Sequence, residues 1–311
     1  MGSDAPDAQS NSIPITRAGL VALVGAPNAG KSTLLNRLLG QRLSIVTARP
    51  QTTRTRVVGI DTRDGVQMVL LDTPGLLEPR YLLHQAMVRA ALDAVDEADA
   101  IVFLLDGTQP PPTLPAEAAA ALEQRRDRVV PAINKIDVAR EDTVTVLERW
   151  AADHFPETAV RISALQGTGI DELRARLAER LPPSPFLYPE DELSSQPLRF
   201  LVAEWIRETA MELYRDEVPY SVAVEVEEFR EHARPIYIRA TVYVERESQK
   251  GILIGAGGRA LKRLGEQARR KLEAFLEAPV YLDLWVKVLP KWRRQAAALR
   301  RLGFTLPEKP L

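Results

Sequence analysis

The sequence contains no cysteine, which excludes disulfides, thiol chemistry, iron–sulfur clusters and cysteine-ligated zinc. Its three histidines, His84, His154 and His232, stand 70 or more residues apart and form no metal-spaced cluster. No apolar run approaches the ~18 to 20 residues that a membrane span needs. The first sixteen residues are polar, acidic and small, without the basic and apolar stretches of a signal peptide. They read as a disordered leader (1–16) on a cytoplasmic chain.

What is present suits a soluble globular protein: 45% apolar and 27% charged residues over 311 positions, enough for about two domains. A net charge of −1 conceals an asymmetry, because residues 250–311 hold 14 Lys and Arg against 5 Asp and Glu. Positive charge gathered at one end suits an anionic partner, nucleic acid or a membrane surface. A solvated basic helix face is the plainer explanation of charge alone.

Hydrophobic patterning divides the chain. Short apolar runs at 20–24, 68–71, 101–105, 129–133 and 160–162 alternate with helix-length segments at 31–39, 83–98, 116–126, 143–152 and 170–181. Runs apolar on both faces and separated by helices predict an α/β domain over 17–181, a mainly parallel sheet with helices on both faces. Five prolines between Leu181 and Pro197 exclude a helix or central strand and mark a linker at 182–197. Residues 198–303 then predict a smaller α+β domain, beginning with a helix near 198–214. Two period-two strands follow, with Val222, Val224 and Val226, then Ile236, Ile238, Ala240, Val242 and Val244, facing one way. After a Gly-rich turn and a long helix come a third strand, with Leu282, Leu284, Val286 and Val288 inward, and a last helix near 292–302. Residues 304–311 form a tail.

Gly25-Ala26-Pro27-Asn28-Ala29-Gly30-Lys31-Ser32-Thr33 follows the first strand and opens a helix, the setting in which a G-x-x-x-x-G-K-[ST] string wraps phosphate. The loop amides and helix N-terminus surround phosphate oxygens, Lys31 reaches the β/γ-phosphates, and Ser32 offers its hydroxyl to Mg²⁺. Asn134-Lys135-Ile136-Asp137 ends the strand at 129–133 and selects the base. A carboxylate there accepts hydrogen bonds from guanine N1–H and the exocyclic amine. Adenine offers neither and leaves a buried Asp137 unpaired, which is worth selectivity on the order of 10³. Both strings in this order arise by composition in about 10⁻⁴ to 10⁻³ of such chains. Asp72-Thr73-Pro74-Gly75 ends the strand at 68–71, with Asp72 facing Mg²⁺ through water and the Gly75 N–H facing the γ-phosphate. Ser163-Ala164-Leu165 follows the strand at 160–162, with the Ala164 N–H aimed at guanine O6.

These strings resemble the five motifs of the small GTP-binding proteins, and Pro50-Gln51-Thr52-Thr53-Arg54 resembles the first switch of the bacterial Era and TrmE-like branch. The resemblance implies a Mg²⁺-dependent GTPase in which Ser32, Asp72 and Thr53, or Thr52 in its place, surround the metal when GTP is bound. Leu76 stands where Ras-like enzymes keep the glutamine that orients water, so no side chain serves as base and slow hydrolysis is expected, with Thr53 and Gly75 as the remaining catalytic contacts. Asn28 is similar to the residue that in some relatives helps hold K⁺, which implies K⁺ stimulation. Arg54 and Arg56 either lend charge to the reaction or are solvated, the commoner outcome for an exposed arginine near a switch.

In the second domain Lys250 and Ile254 precede Gly255-Ala256-Gly257-Gly258, and a helix follows with Leu261, Leu264, Ala268, Leu272 and Phe275 on one face. Arg259, Lys262, Arg263 and Arg270 stand on a neighbouring face. A Gly-x-x-Gly alone is an ordinary tight turn. After two alternating strands and between two helical segments it resembles a type II KH module, whose glycines let a nucleotide backbone approach closely. That resemblance implies four bases of single-stranded RNA or DNA beside residues 252–254, with Lys250, Ile254, the turn, Arg259, Lys262 and Arg263 in contact. Where this family often has a lysine within the turn, this chain has Ala256. The combination over residues 17–303, with Leu284-Trp285-Val286-Lys287-Val288, resembles the ribosome-assembly members of the branch. It implies binding of GTP or GDP and of the 3′ end of 16S rRNA on the 30S subunit; a monomer is expected because nothing in the sequence suggests a coiled coil or an exposed pairing strand. Two other readings compete. One is a membrane-associated signalling GTPase whose basic C-terminal region, with little beyond Trp292 and Phe304 to insert, lies on anionic lipid at the inner face of the plasma membrane. The other is an ATP-dependent kinase or helicase, against which Asp137 argues.

Overall fold

The computed structural model describes residues 16–47 and 49–307, so the expected leader (but for Thr16) and residues 308–311 of the tail lie outside the described residues. The first half is a six-stranded sheet in the order β2-β3-β1-β4-β5-β6: β1 Arg17–Gly25, β2 Val57–Arg63, β3 Val66–Asp72, β4 Ala100–Asp106, β5 Val129–Asn134 and β6 Val160–Arg161. All neighbours are parallel except β2 and β3. Val21 and Leu23 of β1 enter one hydrophobic cluster and Ala22 and Val24 the other, so both faces of the sheet are covered. Helices α1 (Lys31–Leu39) and α5 (Ile170–Arg180) pack on the first face. Helices α2 (Leu82–Glu97), α3 (Ala116–Gln124) and α4 (Glu141–His154) pack on the second.

Strand β2 is absent from the strand pattern read in the sequence. Its residues Val57-Val58-Gly59-Ile60-Asp61-Thr62-Arg63 mix apolar and polar positions, and it turns straight back into β3 through the Asp64-Gly65 turn, with both residues at positive φ. The proline-rich stretch also departs from a free linker. Leu193 O accepts from Ile60 N (2.9 Å), and the buried Gln67 amide bonds Tyr188 O and the amides of Leu187 and Tyr188. The stretch is a strap laid along the outer edge strand, covering the row of unpaired backbone groups that an edge exposes.

The second half is a three-stranded sheet, β7 (Ala223–Arg230), β8 (Ile236–Val244) and β9 (Val280–Val288), with β7–β8 antiparallel and β8–β9 parallel. Helices α6 (Leu198–Leu213), α8 (Glu247–Ile254) and α9 (Arg259–Leu276) join it around one core, and the short α7 (Val218–Ser221) leads into β7. Ile236, Ile238, Ala240, Val242 and Val244 all point into that core. The last helix is broken: a turn of 3₁₀ helix at Trp292–Arg294 gives way at extended Gln295 to α10 (Ala296–Arg301). Trp292 is wholly buried, its indole N–H donates to Ser221 O at 2.8 Å, and Phe304 stacks on it. Of the two apolar side chains that the membrane reading had for insertion, Trp292 is packed inside the protein and Phe304 is half-buried against it. No helix among the described residues is long and apolar enough to cross a membrane.

Candidate nucleotide and RNA sites

Strand β1 lies between β3 and β4, where the strand order reverses, and the ends of the parallel strands share one sheet edge. The loop after β1 therefore faces the loops after β3 and β5. A cavity of about 420 Å³ opens there, lined by Pro27, Asn28, Gly30, Lys31, Ser32 and Thr33, with residues 45–47 and 51–53 also lining it. Lys31 is buried, and its ammonium donates to the carbonyls of Gly25 (3.2 Å) and Ala26 (2.9 Å). Burial lowers its pKa to about 8, against the pull of Asp72 in the other direction. Gly75 must be glycine, because a Cβ there would sit 2.7 Å from Pro27 Cα.

Behind Lys31, Asp72 Oδ2 accepts from Ser32 Oγ (2.6 Å) and Ser44 Oγ (2.8 Å), and Thr53 Oγ1 stands 2.9 Å from Ser32 Oγ. Thr53 is thus the threonine brought to this cluster; Thr52 bonds instead to Thr47 and to Arg49 O. Asp72 Oδ1 is buried with no hydrogen-bond partner among the described residues, and burial raises the carboxyl's pKa despite the three hydroxyls. A cluster of hard oxygens with one orphaned carboxylate oxygen fits Mg²⁺. Ser44 carried no signal in the sequence. Leu76 is buried in the core, and its N–H donates to Gly25 O (3.0 Å), so it presents no side chain to the cavity.

The base-selecting residues differ in part from expectation. Asn134 is buried between two loops: its amide N–H donates to Ala29 O (2.8 Å) and its Oδ1 accepts the Ala164 N–H (2.9 Å). The Ala164 N–H expected at guanine O6 is therefore already engaged, while the Leu165 N–H has no partner among the described residues. Arg37 of α1 holds the same loop through the carbonyls of Ala164 and Leu165. A Cβ on Gly30 would run into the Asn134 amide, which explains the glycine there. Lys135 lines the cavity and pairs with Asp106 at 2.6 Å. Asp137 is exposed rather than buried; only a base seated against it would desolvate its carboxylate.

Neither reading of Arg54 holds. It is neither solvated nor turned to the cavity: only 3% exposed, it donates to Val222 O (2.6 Å), Tyr220 O (3.1 Å) and Pro219 O (3.2 Å), all in the second domain. Arg56 forms an exposed ion pair with Glu97 away from the cavity. Helix α6 meets the same switch from the other side. Arg207 donates to Thr52 O, and the fully buried Glu208 accepts from Val46 N (2.9 Å), Arg42 (2.6 Å) and Lys271 (2.8 Å). Residues 52–54 thus join two environments: the Thr53 hydroxyl faces Ser32 and Asp72, while the Thr52 carbonyl and the Arg54 guanidinium are held by the second domain.

In the glycine turn, Gly255, Gly257 and Gly258 all adopt positive φ. A Cβ on Gly255 would meet Ala260 at 2.7 Å, so glycine is obligatory there. Tyr214 braces the turn from below, its hydroxyl 3.0 Å from Leu253 O and 3.4 Å from Ala260 O. Ala256, Arg259, Lys262 and Arg263 are exposed beside it. A groove of about 440 Å³ runs between α9 and the edge strand β9, with Gly258 and Lys262 among its lining residues. Lys250 and Ile254, expected to contact RNA, belong to α8 and are not among the residues that line this α9–β9 groove. Gly265, Arg269 and Tyr281 line it and were not singled out in the sequence.

A phosphate loop, a metal-suited oxygen cluster and a guanine-type base loop on one sheet edge, followed by a KH module, define a GTPase joined to an RNA-binding fold. Residues 20–135 match the 50S ribosome-binding GTPase family and residues 217–293 the KH domain family. GTPase Era of Carboxydothermus hydrogenoformans is 40% identical over 93% of this chain and 98% of its own length, and that of Geobacter metallireducens is 43% identical over the same shares. The crystal structure of an Aquifex aeolicus Era variant bound to GDP·AlF₄⁻ superposes with a TM-score of 0.87 at 40% identity, covering 94% of this chain and 100% of that one. Era in complex with MgGDPNP and nucleotides 1506–1542 of 16S ribosomal RNA gives the same TM-score, identity and coverage. The chain belongs to the Era family of GTPases.

Proposed function

We infer that this protein is a slow, Mg²⁺-dependent GTPase that binds the 3′ region of 16S rRNA in one nucleotide state and serves assembly of the 30S subunit. The observation that carries the reading is the segment 52–54, in which the residue facing the Ser32–Asp72 cluster is next in sequence to the one seated in the KH domain. If the γ-phosphate orders that segment, nucleotide and RNA share one coupling energy, and each must shift the affinity of the other equally.

Ser32, Thr53 and Asp72 would hold the Mg²⁺, which supplies charge neutralisation between the phosphates. Lys31 and the loop amides bind and orient the phosphate chain, and Asn134 fixes the phosphate loop against the base loop. Asp137 and Lys135 receive guanine, with the Leu165 N–H as the donor left for its carbonyl. No side chain takes a proton from the attacking water, because the position after Gly75 is the buried Leu76, and hydrolysis is slow for that reason. Asn28 offers one of the several oxygens a K⁺ ion needs; equal hydrolysis rates in K⁺ and Na⁺ buffers remove that role.

The test is fluorescence anisotropy of a labelled RNA copying the pyrimidine-rich 3′ end of small-subunit rRNA. The protein is loaded with GDP or a non-hydrolysable GTP analogue, at two salt concentrations. The reading requires tighter binding in one nucleotide state. Equal, strongly salt-dependent binding in both states would reduce the basic domain to a non-specific polyanion binder.

A further inference from the structure

Helix α9 contains one residue that its own fold does not demand. Gly265 has ordinary helical backbone, and a Cβ added there would meet only Leu284 Cδ1, at a comfortable 3.8 Å. Gly255 differs on both counts, being held at positive φ against Ala260. Glycine is the poorest helix former apart from proline, and the rest of α9 is built almost entirely of good formers, so the helix alone would be better served by alanine. Gly265 stands four residues after Leu261 and four before Arg269, on the helix face that lines the groove opposite Leu282 and Leu284 of β9. The wall there is a bare strip of peptide backbone with apolar side chains around it. Lys262 and Arg269 bring positive charge to the groove, and Glu266 is the one acid among its lining residues.

We propose that Gly265 is a specificity-determining residue of the RNA groove: the missing side chain lets one nucleobase lie flat against the α9 backbone, clamped by Leu261, Leu282 and Leu284. This rests on the RNA-binding reading above. A methyl at 265 lifts the ring from the backbone by a large part of a base thickness and breaks the clamp, without touching any phosphate contact.

The experiment compares the intact chain with Gly265→Ala, both loaded with a non-hydrolysable GTP analogue. Binding of the same labelled 3′-end RNA is measured across a salt series, together with the thermal midpoint of unfolding. A set of oligonucleotides in which each base in turn is replaced by an abasic site is then run on both proteins. The expected result is a midpoint equal to or above that of the parent, RNA binding at least tenfold weaker, and an unchanged slope of log affinity against log salt. One abasic position, costly for the parent, should cost the variant little. Binding within twofold of the parent overturns the proposal, as does a lowered midpoint, which would make Gly265 a packing residue. Failure of the unmodified chain to bind the RNA is a separate outcome, which overturns the RNA-binding reading and the proposal with it.

Discussion

Replacing Arg54 by methionine removes the guanidinium and keeps most of the stem. Three carbonyls, those of Pro219, Tyr220 and Val222, lose their donor in a buried contact. Charge-assisted hydrogen bonds contribute about 1.5–3 kcal/mol each, an upper bound of about 5–9 kcal/mol for three. Against that stands the desolvation of a guanidinium bonded only to neutral carbonyls, which itself costs several kcal/mol in the parent. The net loss is about 2–4 kcal/mol of docking between the switch and the KH domain, a factor of about 30 to 1000 at 1.4 kcal/mol per decade. Only a ligand that needs Thr53 beside Ser32 and Asp72 feels this loss. Titration with fluorescent nucleotides should therefore give GDP affinity within about twofold of the parent and affinity for a non-hydrolysable GTP analogue lower by about 10². A matched loss for both nucleotides, or none for either, would refute the reasoning that residues 52–54 couple the two sites.

Nucleotide affinity should also depend on pH through Lys31. Its pKa is near 8 in the free protein, and phosphate favours the protonated form, so binding raises that pKa. Affinity is then level at low pH and falls as pH rises through 8, by about tenfold between pH 7 and 9; a flat profile of GDP affinity over that range would remove the burial argument. Trp292→Ala should cost the protein about 3–5 kcal/mol in denaturant unfolding, since it empties a fully buried site and frees the Ser221 carbonyl and the Phe304 ring. It should also weaken Arg54, whose guanidinium lies 5.7 Å from the indole centroid, and so reproduce part of the GTP-analogue defect.

The sequence was most legible where chemistry forces a residue type at a fixed place along an element. Glycines with positive φ, a lysine after the phosphate loop and an aspartate at a strand end appear as strings because the neighbouring backbone dictates them. Legibility failed where a side chain's role depends on what the chain brings to it from far away. Arg54 reads as a solvated switch residue until α7 and the residue that follows it, some 165 residues on, supply three carbonyls. Asn134 reads as a base contact, yet its amide is spent joining Ala29 to Ala164. Strand β2 escaped because an edge strand covered by a strap needs no alternating pattern. Gly265 escaped because a glycine inside a helix signals nothing locally; its meaning lies in the groove it leaves open.

The strap over β2 has a mechanical consequence. Ser194 Oγ donates to Val58 O at 2.5 Å and α6 begins at Leu198, so only residues 195–197 tether the KH domain to a fixed point on the GTPase domain. Three residues reach at most about 10 Å. If nucleotide exchange releases Arg54, Arg207 and Glu208 from their partners, the KH domain cannot diffuse away; it pivots on a short leash at high effective concentration. Re-engagement is then an intramolecular step whose rate does not depend on how much protein the cell contains, and the switch can be reset as often as nucleotide turns over.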